Sequence, residues 1–203
     1  MTASSPPLVD RERRELADLL RQLGPDAPTC CAGWTTAHLA AHLVVRDRRP
    51  DAMLGYGLEG AGLGGPAVAW THRAEDRLRT STGYAELVTR VRSGPPGWLP
   101  MSWPPVARLI NLSEFAIHDE DVRRAQPGWE PRTLAREDQD AIWSASGLYA
   151  RRAAGRRGVV LRRTDGEGEE RRLGAGGRVV EGEPLELLLW AAGRRDVARV
   201  QVS

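Results

Sequence analysis

A chain of 203 residues with a net charge of +2, 41% hydrophobic and 28% charged, can bury an adequate core and reads as a soluble globular protein of one large or two small domains. It has no apolar run of about 18 residues, which excludes a membrane-spanning helix, and its N-terminal stretch has no apolar signal core, so a cytoplasmic location is the expectation. All 29 basic residues are arginine, which excludes Schiff-base, general-base and P-loop lysines; they alternate with Asp and Glu, which gives nucleic-acid binding little support.

Residues 1–7 are small, polar and Pro-rich, as in a disordered end. Leu8 to Leu23 places Leu16, Leu19, Leu20 and Leu23 at helical spacing, and Gly24-Pro25 stops it. Asp26 to Gly33 is a loop carrying the adjacent Cys30 and Cys31. With no other cysteine, a disulfide scaffold and a zinc ribbon are both excluded. Their place before a helix start allows a reactive thiol, against simple packing near Trp34. Thr35 or Thr36 caps a second helix with Leu39, His42, Leu43 and Val45 on one face, ending at Pro50. Gly55 to Gly65 reads as a flexible connection, not a phosphate loop. Further helices are expected from Pro66 to about Arg79 and from Tyr84 to Arg92, then a Pro/Gly/Trp loop with Trp98 and Trp103. That loop could cover a pocket or an interface.

The next helix, Val106 to Ala125, holds Glu114 and His118 four apart, hence stacked on one face. Ala107 and Ile110 fall on the same row, which predicts that this carboxylate and imidazole point inward. Burying a polar group without a partner costs about 2–7 kcal/mol, so the pair needs either a mutual hydrogen bond or a metal ion. Four such helices with an inward polar cluster predict a mainly α protein, a four-helix bundle over residues 1–130. Beyond it, a helix over Arg136 to Ala153, a hairpin of Gly158 to Arg163 with Arg171 to Leu173, a strand at Arg178 to Val180, a helix from Pro184 to Ala192 and a last strand at Val197 to Val202 predict a small α+β domain over 131–203.

Four histidines are present: His38, His42, His72 and His118. His42 with Glu114 and His118 would make a His2Glu set with a fourth position open, a catalytic type of zinc coordination that also suits other divalent metals. His38 has the same spacing to His42 as Glu114 has to His118, and His72 reads as a surface residue beside Arg73 and Glu75. Spacing alone leaves the hydrogen-bonded pair and the metal site both open.

The stretch CAGWTTAHLAAHLVVRDRRPDA, Cys31 to Ala52, resembles the GWT-x-x-DL-x-AHL signature of the mycothiol-dependent maleylpyruvate isomerase family, whose metal-binding domain is a four-helix bundle of the DinB/YfiT-like superfamily. NLSEFAIHDEDVRRA is similar to that family's second metal motif, and GEPLELLLWAAGRRDVARVQV to its small C-terminal domain; the VVRDRRPDA continuation is most like an actinobacterial branch. The resemblance implies metal ligands at His42, Glu114 and His118. It also implies a divalent metal, zinc foremost, and mycothiol as the thiol cosubstrate. This chain departs from the pattern at His38, where the family carries Asp, which makes His38 a possible fourth ligand or an outer partner. The implied function is a thiol-dependent isomerase or S-transferase acting on an electrophilic, possibly anionic substrate, with Arg46 and Arg194 as the candidate carboxylate grips. The alternative is a non-catalytic metal-binding or regulatory module of the same fold.

Overall fold

The computed structural model describes residues 7–166 and 168–203, so the end expected to be disordered lies, up to residue 6, outside the described residues. The first compact unit comprises residues 1–107 with 118–129, and the second residues 108–117 with 130–203.

In the first unit, α1 (Leu8–Leu23) buries Val9, Leu16, Ala17 and Leu20 and ends at Gly24, whose φ of +79° suits a residue without Cβ. Helix α2 (Thr36–Arg48) buries nearly every side: Leu39, Ala40, Ala41, Leu43, Val44 and Val45 all lie in the core. It packs on α1, α4 (Pro66–Ser81) and α5 (Tyr84–Ser93). Arg13 of α1 ties three of these together: its Nη1 meets Asp47 Oδ2 of α2 at 2.5 Å and also donates to the Val91 carbonyl of α5. Both ends of the Arg13–Asp47 pair are buried, so the pairing is obligatory; removing either partner leaves an uncompensated charge.

Of the Gly-rich stretch expected as a flexible connection, Gly55 to Gly65, the first part is helical and only residues 61–65 form a turn and irregular link. Met53–Gly60 is a helix, α3, packed on α4. A Cβ at Gly55 would lie 2.1 Å from Thr71 Oγ1 and 2.7 Å from the Ala67 carbonyl. Gly55 is there for close helix–helix approach, a role that composition does not distinguish from flexibility.

After the loop with exposed Trp98 and Trp103, one α turn (α6, Pro104–Val106) leads into a π-helical turn, Ala107–Asn111, and then α7, Leu112–Arg123. The wider i→i+5 turn shifts the phase of what precedes α7. Ile110 is consequently 39% exposed, against the expectation that it shares an inward row with Glu114 and His118, while His118 is buried as expected. The side chain of Ala107 lies outside the described residues.

The second unit is a small α+β fold. The single helix expected over Arg136 to Ala153 is two, α8 (Arg136–Ala145) and α9 (Gly147–Ala154). They are parted where Ser146 turns its hydroxyl back onto the Trp143 carbonyl at 2.8 Å, ahead of Gly147. β1 (Val159–Arg163) and β2 (Glu170–Leu173) form the expected antiparallel hairpin, and β3 (Arg178–Gly182) pairs parallel with β1 on its other side. Helix α10 (Pro184–Ala191) is apolar nearly all round and buries Leu185, Leu187, Leu188, Leu189 and Trp190. The last strand, β4, is only Gln201–Val202, because the amides of Val197 and Ala198 turn back onto the Arg194 carbonyl instead of extending. The sheet order is β2-β1-β3-β4, and the core beneath it is Trp143, Leu161, Val180, Leu187 and Trp190. The fold is thus a helical domain with a small α+β part. No helix among the described residues is long and apolar enough to cross a membrane.

Candidate metal centre

The start of α2 fixes the orientation of its histidines. Thr35 is the N-cap, and the cap is reciprocal: the Thr35 side chain accepts from the amide of His38, and His38 Nδ1 accepts from the Thr35 amide at 3.2 Å. An imidazole thus takes the place usually held by Glu or Gln in a capping box. His38 is employed in starting the helix and belongs to none of the candidate metal-holding clusters among the described residues.

One turn further on, His42 sits in a nest of rings, 5.1 Å from Trp34, 5.1 Å from Tyr56 and 5.3 Å from His118, centroid to centroid. Its Nδ1 is 2.8 Å from Glu75 Oε1. Glu75, on α4, also accepts from Tyr56 Oη at 2.6 Å and meets His72 Nδ1 at 3.3 Å. Burial pushes the Glu75 carboxyl up, but the hydrogen bonds and charges of His42, Tyr56 and His72 outweigh it and hold it below the usual glutamate range. Glu75 is therefore an anion that keeps a proton on His42 Nδ1.

On α7, His118 repeats the arrangement. Its Nδ1 is 2.9 Å from Asp121 Oδ2, an acid one turn along the same helix and fully buried. Asp121 is steadied from the loop before α2: the Cys31 thiol approaches the same carboxylate at 3.2 Å, and the Cys30 amide donates to the Asp121 carbonyl at 2.8 Å. Glu114, a turn before His118, accepts from Tyr149 Oη at 2.6 Å.

Donor atoms of His42, Glu114 and His118 lie within 4.8 Å of one another. Both imidazoles have Nδ1 committed to a carboxylate, so each can coordinate a cation only through Nε2. A carboxylate behind a liganding histidine fixes its tautomer and raises its basicity. Two other clusters satisfy the same distance, Cys31–His118–Asp121 and Glu12–Glu15–Asp119. The first is the hydrogen-bonded support of His118 itself. The second already carries a cation, since Arg123 reaches Asp119 at 2.8 Å and Glu15 at 3.8 Å.

The two arginines singled out from sequence occupy different settings. Arg46, a turn beyond His42, is buried, with its guanidinium 3.9 Å from Asp47. Arg194 is half-buried in the second unit and donates to the Ala192 carbonyl at 2.9 Å, at the end of α10. His72 is a surface residue as expected, yet it bridges Glu59, at 3.1 Å, to Glu75. Sequence reasoning missed Glu75, Asp121, Tyr56 and Tyr149. Asp121 carried a usable signal, an acid three residues after His118 on one helix; the others are distant in sequence and carried none.

No protein-family model matches the chain, and no curated protein is detectably similar to it. Two solved structures are similar in fold, each over 97% of this chain and 90% of the other. A mutant mycothiol-dependent maleylpyruvate isomerase has a TM-score of 0.59 at 16% identity, and another structure of a mycothiol-dependent maleylpyruvate isomerase has 0.54 at 18%. At that identity the likeness is one of fold.

Proposed function

We propose that this chain holds a divalent cation on His42 Nε2, His118 Nε2 and the Glu114 carboxylate, and that it is a thiol-dependent isomerase or S-transferase. The observation that carries the reading is the paired support of the histidines. Glu75 and Asp121 each hold one Nδ1, and a buried His118 with a partly buried His42, their rings 5.3 Å apart and each anchored at Nδ1, are arranged as ligands are. The donor set of two imidazoles and a carboxylate is that of catalytic zinc sites with a position left for water or substrate. A bound divalent cation would lower the pKa of a thiol or water in that position and so supply a nucleophile near neutral pH.

The protein's own groups would do the rest. Trp34 and Tyr56 shield His42 and lower the local dielectric, and Tyr149 orients the Glu114 carboxylate. Arg46 and Arg194 stand as the candidate grips for an anionic substrate, on the chemistry of the guanidinium fork. The solved structures of similar fold belong to mycothiol-dependent isomerases, which supports mycothiol or a related low-molecular-weight thiol as cosubstrate; zinc is the metal we propose, on the chemistry of the donor set alone.

The test is metal analysis of protein purified without a polyhistidine tag, with His42→Ala and Glu114→Ala alongside. About one divalent ion per chain in the parent and a large loss in both variants is the expected result. Equal, near-zero content in all three would overturn the reading. Cobalt-substituted protein then separates an enzyme from a non-catalytic metal module: a sulfur-to-cobalt absorption band on adding thiol supports the enzyme, and an unchanged spectrum supports the module.

A further inference from the structure

The outer face of α4 carries a mixed aromatic and cationic stripe. Trp70, Arg73, Ala74, Arg77, Leu78 and Ser81 recur at i, i+3, i+4, i+7, i+8 and i+11, a single stripe. With Arg49 from the end of α2 they line a groove of about 370 Å³. That is within the range of small-molecule sites. Ala74 and Ser81 are its short lining residues. Arg49 stacks over the Trp70 ring at 5.1 Å while its guanidinium is forked onto Asp51 at 3.0 and 2.9 Å.

Several helical arginines pair with a carboxylate one turn away: Arg79 with Asp76, Arg90 with Glu86, Arg136 with Asp140. Arg73 has Arg77 four residues on, and Asp76, three residues on, is engaged instead by Arg79 at 3.3 Å. Among the described residues neither Arg73 nor Arg77 has an acidic partner or any side-chain hydrogen bond. Like charges at i and i+4 repel, so the pair costs helix stability unless an anion bridges it. Trp70, 37% exposed, offers a flat apolar surface at one end of the same groove.

We propose that this groove binds a nucleoside polyphosphate, with the phosphates bridging Arg73 and Arg77 and the base stacked against Trp70 beside Arg49. Guanidinium groups grip phosphate oxygens two at a time, and a third arginine over an indole favours a planar heterocycle. The site is separate from the residues assigned to the metal.

Calorimetric titration of the full-length protein with ATP in the presence of EDTA tests it. Saturable binding that weakens steeply between about 50 and 200 mM salt is expected, with inorganic tripolyphosphate binding more weakly and adenosine not measurably. Arg73→Gln/Arg77→Gln should lose about a hundredfold in affinity, about tenfold per charge-assisted contact, while retaining the helical circular dichroism and metal content of the parent. Trp70→Ala should weaken ATP without altering tripolyphosphate. His42→Ala should bind ATP as the parent does, which separates this groove from the metal centre. Absence of binding, an unaffected double arginine variant, or tighter binding of a single-stranded RNA 10-mer than of ATP would each overturn the proposal.

Discussion

Glu75→Gln isolates the contribution of charge behind His42. The amide is nearly isosteric, and its oxygen can still accept from His42 Nδ1 and Tyr56 Oη, which lie 2.8 and 2.6 Å from Oε1 in the parent. What disappears is the negative charge that raises the basicity of the opposite ring nitrogen. Loss of such an outer partner typically costs 10- to 100-fold in metal affinity, that is about 1.4–2.8 kcal/mol. Only one of the two histidines is affected, because His118 keeps Asp121 at 2.9 Å, so the lower half of that range is expected. Competition against a chromophoric chelator at neutral pH reads the change directly. Asp76→Asn, an exposed acid on the same helix, should leave affinity unaltered. Affinity in Glu75→Gln within twofold of the parent, with the helical spectrum intact, would refute the claim that Glu75 supports a ligand.

Two predictions concern stability. Gly55→Ala should destabilise by about 1–3 kcal/mol in urea denaturation, because the new methyl meets Thr71 Oγ1 and the Ala67 carbonyl, and Gly57→Ala, which meets nothing within 4 Å, should not. In the second unit, Arg163 is buried and forks onto Asp165 at 2.7 and 2.7 Å, which holds the Asp165 carboxyl below the usual aspartate range. A depressed folded pKa adds stability that is present above the unfolded value of about 3.9 and is lost as pH falls through the folded one. Asp165→Asn should therefore lower stability at pH 7 by about 1.5–3 kcal/mol and flatten its fall below about pH 4, as followed by thermal melts from pH 2 to 7. An unchanged acid limb would show that the pair is not coupled to folding.

The elements most legible in the sequence were those where period and punctuation agree. Leu8–Leu23 stands as expected between Pro7 and Gly24, and the β1–β2 hairpin falls on either side of its Gly/Glu-rich turn. Legibility failed where a residue type has two uses. Gly55 reads as freedom and acts as a close contact; Ser146 reads as an ordinary helical position and divides α8 from α9. At the candidate site, spacing along one helix brought out Glu114 with His118, and it could have brought out Asp121. Glu75 lies 33 residues from His42, and Tyr149 lies 35 from Glu114, separations at which no local period operates. His38 shares His42's periodicity, but the local competition for the Thr35 amide gives it a different task.

The π-helical turn at Ala107–Asn111 amounts to one residue of slack stored immediately ahead of Glu114. A π-turn takes up about one extra residue in a single turn, so removing one residue there would restore a plain α-helix and leave the turns on either side nearly in phase. The Glu114–His118 spacing would not alter, because both lie beyond the turn in α7. An insertion or deletion at this point is therefore absorbed within the turn itself, and the ligand row does not register the change in length.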